Sequence, residues 1–496
     1  MPDTRPNILL VFTDQQRADT LGALNPVMRT PVMDRLCAEG TTFTRAYTPV
    51  PVCVPARCSL IFGQYAHNTG CYENRSAMPS VTAERPTFMS ALSQAGYQAH
   101  GVGKMHFTPD RHALRGFESR DRSEEGIQGP DTDDYLSFLH KKGYDHVHDV
   151  NGVRGEMYYI PQPSQLPARL HNSHWVADRS LQFLEARDRS WPFLLMASFI
   201  DPHPPFAPPV PWNKLYRAPA MPAPKRPPNA ENLWTHINRV QNRYKFRDAG
   251  IDDRLLQVMK AYYYATVSFI DYNVGRIVQA LEANGELDNT LILWTSDHGE
   301  FLGDYDCFGK RTFLKSTANV PLIVRYPERF APGARVDAPA SLVDVMPTFL
   351  AAAGTDVPGA RLGGVDLAEL TADPDMRETV WGQYDSGSKA HYMALTERWK
   401  YIYVASDHRE FLFDMLVDPD ETRNRAETLG YQEHTRALRQ TTIDHLREEG
   451  YIKPLDGDDW RVYPPPQFPR DPDAGLLFQD APWSRPLMHI PGYSET

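Results

Sequence analysis

The chain has 496 residues and a formal net charge of −11, from 52 basic and 63 acidic residues. That length accommodates one large core and a smaller appendage, because single cores stop growing near about 250 to 300 residues. The acidic excess is spread without blocks, which argues against a nucleic-acid-binding surface and obliges any anionic substrate to find a local basic pocket.

The first residues carry no basic segment, long apolar run or cleavage site of a signal peptide, so a cytoplasmic chain without membrane attachment is expected. The apolar run at 8–12 is too short for a bilayer and reads as a buried strand. Thr30 as N-cap, Pro31 in the first turn and Gly40 beyond the end predict a helix. Buried strands are predicted again at 193–199, 291–294 and 320–324, separated by helical stretches, which points to α/β layering. The clearest helix starts near Asp252, is apolar at Leu255, Met259, Tyr262, Phe269, Val274, Ile277, Val278 and Leu281, and stops at Gly285.

From about 366 the pattern changes to closely spaced strand candidates at 379–384, 391–396, 399–404 and 410–414, which fit a small antiparallel sheet. The expected division is an α/β domain over 1–365, a smaller antiparallel-sheet subdomain with a helix over 366–455, and an extended arm over 456–496. The arm holds Pro464-Pro465-Pro466, Trp460, Phe468 and Trp483, too aromatic for a typical disordered tail. Packed on a neighbouring subunit or on its own core, it makes a homodimer or homotetramer the expected assembly. Five cysteines (37, 53, 58, 71 and 307) are few and odd in number, which does not suggest a disulfide framework.

In α/β sheets, ligands sit at the carboxyl ends of strands. Here the first run ends in Thr13-Asp14-Gln15, and the run at 291–294 continues into Thr295-Ser296-Asp297-His298-Gly299. Hard oxygen donors with one imidazole suit Ca²⁺, Mg²⁺ or Mn²⁺ better than a structural zinc. Taken singly, Asp14 or Asp297 reads equally well as a cap or turn residue; together, each after a buried strand, they favour a metal site. His203 comes after another buried strand in Asp201-Pro202-His203-Pro204-Pro205-Phe206, where proline-stiffened backbone can fix a side chain over a pocket.

The segment Cys53-Val54-Pro55-Ala56-Arg57 resembles the sulfatase signature C-x-P-x-R. Alone such a match is weak, but its companions stand in order between Pro6 and about Asn424. They are Pro6-Asn7-Ile8, Asp14, Gly103-Lys104-Met105-His106, Asp201-Pro202-His203, Ser296-Asp297-His298-Gly299, and Phe411-Leu412-Phe413-Asp414 before Asp418-Pro419-Asp420-Glu421. The chain thus resembles the formylglycine-dependent sulfatases of the alkaline phosphatase superfamily, near arylsulfatases, choline-sulfatase-like proteins and phosphonate monoester hydrolases.

That resemblance implies an alkaline-phosphatase-like fold, a large mixed β-sheet sandwiched by helices. It implies that a formylglycine-generating enzyme oxidises Cys53 to formylglycine (3-oxoalanine), whose hydrate is a geminal diol: one hydroxyl is the nucleophile, and the second collapses the covalent ester. One divalent cation, usually Ca²⁺ with Mn²⁺ or Mg²⁺ open, would be held by Asp14, Gln15, Asp297, His298 and the diol at position 53. Arg57 would steady the nucleophile. Lys104 and Lys310 match two lysines on sulfate oxygens, with Lys315 as the alternative for the second. His106 matches a base beside the diol, and His203 a substrate-binding general acid at the leaving group. Asn74 matches an asparagine that contacts the nucleophile or the transferred group.

Many members carry Asp-Asp after the first strand, whereas this chain has Asp14-Gln15 there. With Asp297-His298, that pairing resembles choline-sulfatase-like proteins and phosphonate monoester hydrolases. The latter tend to carry Tyr and Thr in place of Lys104 and His106, so retention of both favours sulfate monoesters. Conversely, His203-Pro204-Pro205-Phe206 and the C-terminal extension look like the phosphonate hydrolases. The expected activity is promiscuous, arylsulfatase-like hydrolysis of sulfate monoesters, with phosphonate monoesters and phosphodiesters as the alternative. A phosphotransferase with a serine or threonine nucleophile finds no support at position 53, and a non-catalytic binding protein would require Cys53 to remain a thiol.

Overall fold

The computed structural model describes residues 5–125, 129–154, 158–246 and 252–468. The first predicted strand is β1 (Asn7–Thr13), buried along its whole length. It lies inside an eight-stranded sheet with β2 (Thr41–Phe43), β3 (Gln98–Gly103), β4 (Ser119–Arg122), β5 (Phe193–Phe199), β6 (Thr290–Ser296), β7 (Leu322–Arg325) and β8 (Ala334–Val336). The spatial order is β4-β3-β5-β1-β6-β7-β2-β8. From β4 to β6 the neighbours are parallel, while β7 runs antiparallel to both β6 and β2, so the sheet is mixed.

Helices cover both faces of the sheet, which is why its central strands are buried at every position and carry continuous apolar runs rather than alternating ones. On one face Leu9 and Val11 of β1 join Trp175 and Val176 of α3 (Asn172–Ala186) and Tyr263, Val267 and Ile270 of α4 (Asp253–Ala283), after α1 (Pro31–Glu39) contributes Met33 and Leu36. On the other, Ile8, Leu10 and Phe12 meet Val54, Leu60 and Ile61 of α2 (Cys53–Phe62) and Phe349 of α5 (Val345–Ala352). The α4 helix begins where the sequence places it, with the Asp252 carboxylate accepting from the Arg254 and Leu255 amides. The cap of α1 differs from expectation. Thr30 spends its hydroxyl on Gly22 and Asp34, and the free amides of Val32 and Met33 go to the carboxylate of Asp271 on α4. A cap supplied from 238 residues away along the chain leaves no local signal.

The closely spaced strands form an antiparallel sheet of β9 (Val380–Tyr384), β10 (His391–Leu395), β11 (Trp399–Val404) and β12 (Arg409–Asp414), in sequential order. One face packs Val380, Met393, Ile402 and Phe413 against Phe301 and Phe313 of the larger layer. The other face holds Tyr392, Tyr401 and Leu412 against Leu438, Ile443 and Leu446, of which the last three lie on α6 (Gln432–Glu448). Leu367 and Leu370, just before this sheet in sequence, pack instead with Phe349 under the large sheet. Of the expected arm, residues 456–468 are described and 469–496, with Trp483, lie outside the described residues. Trp460 is buried, stacks on Tyr403 at 4.4 Å between ring centroids and donates to the Tyr401 hydroxyl, so this part covers the chain's own small sheet.

Among the described residues no helix is long and apolar enough to cross a membrane. All five cysteines are buried and unpaired.

Candidate active site

Four neighbouring parallel strands stop at one level: Gly103 of β3 pairs with Ser198 of β5, and Thr13 of β1 pairs with Phe199 of β5 and Ser296 of β6. The residues just beyond these strands therefore converge: Lys104, Asp201 with His203, Asp14 with Gln15, and Asp297 with His298. Gly103 is required for this. Its φ is +89°, and a Cβ there would lie 2.0 Å from the Ser198 carbonyl oxygen.

Cys53 is the first residue of α2, and its side chain faces this ring of strand ends. Its Sγ stands 3.1 Å from Lys310 Nζ, 3.3 Å from His298 Nε2 and 3.8 Å from Asp14 Oδ1. The His106 imidazole lies beside the thiol, with ligand atoms of Cys53, His106 and Glu125 within 4.8 Å of one another. Donor atoms of Asp14, Cys53, Asp297 and His298 all lie within 4.8 Å of one another, and all four residues are buried. His298 donates from Nδ1 to the Gly299 carbonyl at 3.0 Å, so its Nε2 is the atom left for the cluster. Gln15 reaches the same place from a left-handed backbone, φ 69°, held by its amide donating to Asp297 Oδ1 and by Tyr263 donating to its carbonyl.

Two buried carboxylates side by side need compensating charge. Arg57 supplies it through Nε to Asp297 Oδ2 at 3.0 Å and Nη2 to Asp14 Oδ2 at 3.1 Å, and its Nη1 holds the Lys104 carbonyl at 2.6 Å. The described hydrogen bonds of Arg57 thus go to the two carboxylates, the Lys104 carbonyl and the Ser198 hydroxyl around residue 53. Lys104 Nζ donates to Asp14 at 2.5 Å and to Glu125 at 2.6 Å. Burial pushes the Asp14 carboxyl up, as does the Cys53 charge, but Lys104, His203 and Lys310 outweigh both and hold it well below the usual range. Asp297, by contrast, is raised by burial and by the charge of Asp14. Burial also opposes ionisation of the Cys53 thiol, yet Lys310, Lys104 and His298 hold it well below its ordinary value.

His203 donates from Nδ1 to the Pro204 carbonyl at 2.8 Å, leaving Nε2 to face Tyr158 at 3.4 Å and Glu125 at 3.5 Å. Burial lowers its pKa against the pull of Glu125. Lys315 is outside the cluster, donating to the Pro419 carbonyl, so Lys310 is the second lysine that the structure brings to Cys53. Asn74 stands next to residue 53: its side-chain oxygen accepts from the Val54 amide at 3.1 Å and so caps the first turn of α2. Sequence reasoning missed Glu125, Tyr158, Tyr159 and Glu300, which surround the cluster. Only Glu300, directly after Gly299, carried a local signal.

The layered sheet and its ring of strand ends are those of a known class. The chain belongs to the sulfatase family of the alkaline phosphatase superfamily: the family model described as Sulfatase matches residues 6–355, and that described as N-sulphoglucosamine sulphohydrolase, C-terminal, matches residues 303–449. An arylsulfatase from Clostridium perfringens is 32% identical over 90% of this chain and 96% of that protein. The multifunctional alkaline phosphatase superfamily protein PehA from Trinickia caryophylli is 29% identical over 89% of this chain and 95% of its own. Among solved structures, the phosphonate monoester hydrolase of Agrobacterium radiobacter superposes with a TM-score of 0.79 at 26% identity, covering 90% of this chain and 96% of that one.

Family membership implies a metal ion and a formylglycine made from Cys53. The residues present fit both. Two carboxylates, an amide oxygen and one imidazole make a hard donor set for a divalent cation, and the Sγ of Cys53 occupies the place that an oxygen of the hydrated aldehyde would take.

Proposed function

We propose that this chain hydrolyses sulfate monoesters of aryl or small alkyl alcohols, with weaker action on phosphonate monoesters and phosphate diesters. The observation that carries the reading is Cys53 Sγ at hydrogen-bonding distance from Lys310 and His298, beside Asp14 and Lys104, in a fully buried cluster at the strand ends.

Asp14, Gln15, Asp297 and His298 would hold the cation, which would neutralise charge on the ester and lower the pKa of the diol. Residue 53, as hydrated formylglycine, supplies one hydroxyl that bonds to sulfur while the bond to the leaving oxygen breaks, and a second whose deprotonation releases sulfate and restores the aldehyde. Lys104 and Lys310, with no exposed surface, place positive charge where the transferring group gathers negative charge. His203, in its doubly protonated form, which Glu125 favours against burial, presents Nε2–H to the leaving oxygen and delivers that proton, and His106, beside the thiol position, takes the proton of the second hydroxyl. Arg57 keeps the two carboxylates apart and in place.

A second reading, with phosphonate monoesters as the main substrate, is favoured by the likeness to the Agrobacterium radiobacter enzyme. Retention of Lys104 and His106 in the cluster supports sulfate instead. Kinetics with matched leaving groups decide between them: kcat/KM on an aryl sulfate should exceed that on the corresponding phenyl phosphonate ester, and the reverse order would make phosphonate the main substrate. Mass spectrometry of the tryptic peptide 46–57 belongs to the same experiment, and active protein with an unmodified Cys53 would remove the formylglycine chemistry.

A further inference from the structure

Glu300 lies behind the cluster with no exposed surface, and no step of the proposed chemistry uses it. Its carboxylate receives four donors. Oε1 accepts from the Leu302 amide at 3.0 Å and the Gly309 amide at 2.6 Å, and Oε2 accepts from the Tyr159 hydroxyl at 2.8 Å and from Nε2 of Gln15. On the far side of the same Gln15 amide, Oε1 accepts from Lys310 Nζ at 2.7 Å.

An ionised carboxylate can only accept and an ammonium can only donate, so an amide caught between them has one orientation. Reversing it would press the NH₂ against Lys310 and the oxygen against Glu300, two mismatched contacts between buried groups. The orientation that remains turns the oxygen of Gln15 toward Lys310, whose Nζ also reaches Cys53 Sγ at 3.1 Å. The bond from Glu300 also draws positive charge onto the amide nitrogen and leaves its oxygen more negative, a better ligand for a hard cation. Through the Gly309 amide, the same carboxylate fixes the turn that delivers Lys310.

We propose that Glu300 is a positioning residue: it makes Gln15 an oxygen donor to the cation site and sets Lys310, so that the site holds its ion firmly only while this charge stands behind it. The inference rests on the metal reading of the site. Glu300→Gln keeps an oxygen for the Leu302 and Gly309 amides but turns an NH₂ toward Gln15, where donor meets donor and the Gln15 amide must flip.

The test is calorimetric titration of EDTA-treated full-length protein with Ca²⁺ and with Mn²⁺, without substrate, with folding monitored by circular dichroism. E300Q is expected to bind about 10- to 100-fold more weakly than the parent. The swap Q15E/E300Q, which rebuilds the bond with donor and acceptor exchanged, is expected to return affinity to within about threefold of the parent. Equal affinity in the parent and E300Q overturns the proposal, as does a folded swap variant that binds no more tightly than E300Q. Should E300Q alone not fold, the swap decides: folded and ion-binding supports the role, folded and unable to bind overturns it. A parent protein that takes up neither ion overturns the metal reading and this inference together.

Discussion

At the scale of single residues, His203 shows how backbone contacts assign a role. With Nδ1 donating to the Pro204 carbonyl, the ring can present only Nε2 to a leaving oxygen. His203→Ala should therefore cost about 10²- to 10⁴-fold in kcat/KM on alkyl esters, whose departing oxygen needs a proton, and much less on nitrophenyl esters, whose oxygen leaves as a stable anion. A leaving-group series measures this, and a uniform loss would remove the acid role. The residues legible in the sequence are those placed directly after buried strands, because a run such as 8–12 fixes where its successor, Asp14, must emerge. Glu125, Tyr158 and Tyr159 were not legible, since they sit on irregular segments and gain meaning only from the cluster they face. For Arg57, spacing brings it near residue 53, and only the fold shows that two carboxylates accept from its donors.

At the scale of elements, the central strands were legible and the flanking ones were not. The strand β3 contains His100 and two glycines, and β4 reads Ser-Arg-Asp-Arg at the sheet edge, so neither shows the apolar run of a strand buried on both faces. Helix α6 docks through His445, which stacks on Trp381 at 3.9 Å between centroids and meets His67 edge-on. Burial, helped by Arg361 and opposed by Glu449, lowers the His445 pKa from 6.5 to about 4. Between those two values the unfolded chain binds more protons at this site than the folded one, so stability rises with pH across the window. Docking is complete above pH 6.5 and weakens as the pH falls toward 4; His67, lowered to about 3, acts in the same direction. His445→Phe keeps a ring on Trp381 without the titration. Its melting temperature relative to the parent should rise by a few degrees between pH 7 and pH 5, and a gap independent of pH would refute the titration of His445 as the cause.

At the scale of the whole molecule, two layers share one support: the small sheet packs one face on the large domain and covers the other with α6 and Trp460. The proposed role of the C-terminal segment in assembly must respect this cover, so the informative truncation ends the chain at Phe468 and retains Trp460. If residues 469–496 join subunits, light scattering should show a smaller particle than the full chain gives; an unchanged mass would release the tail from that role. The burial of α2 has a further consequence. Cys53, Val54 and Arg57 are each at most 1% exposed, in the first turn of a helix with no exposed residue, so an oxidising enzyme has no route to the thiol once the sheet has closed. Under the proposed chemistry, modification and folding race for the same nascent chain. The fraction of active molecules is then settled during synthesis, and a batch that folded unmodified stays inert whatever oxidase it meets later.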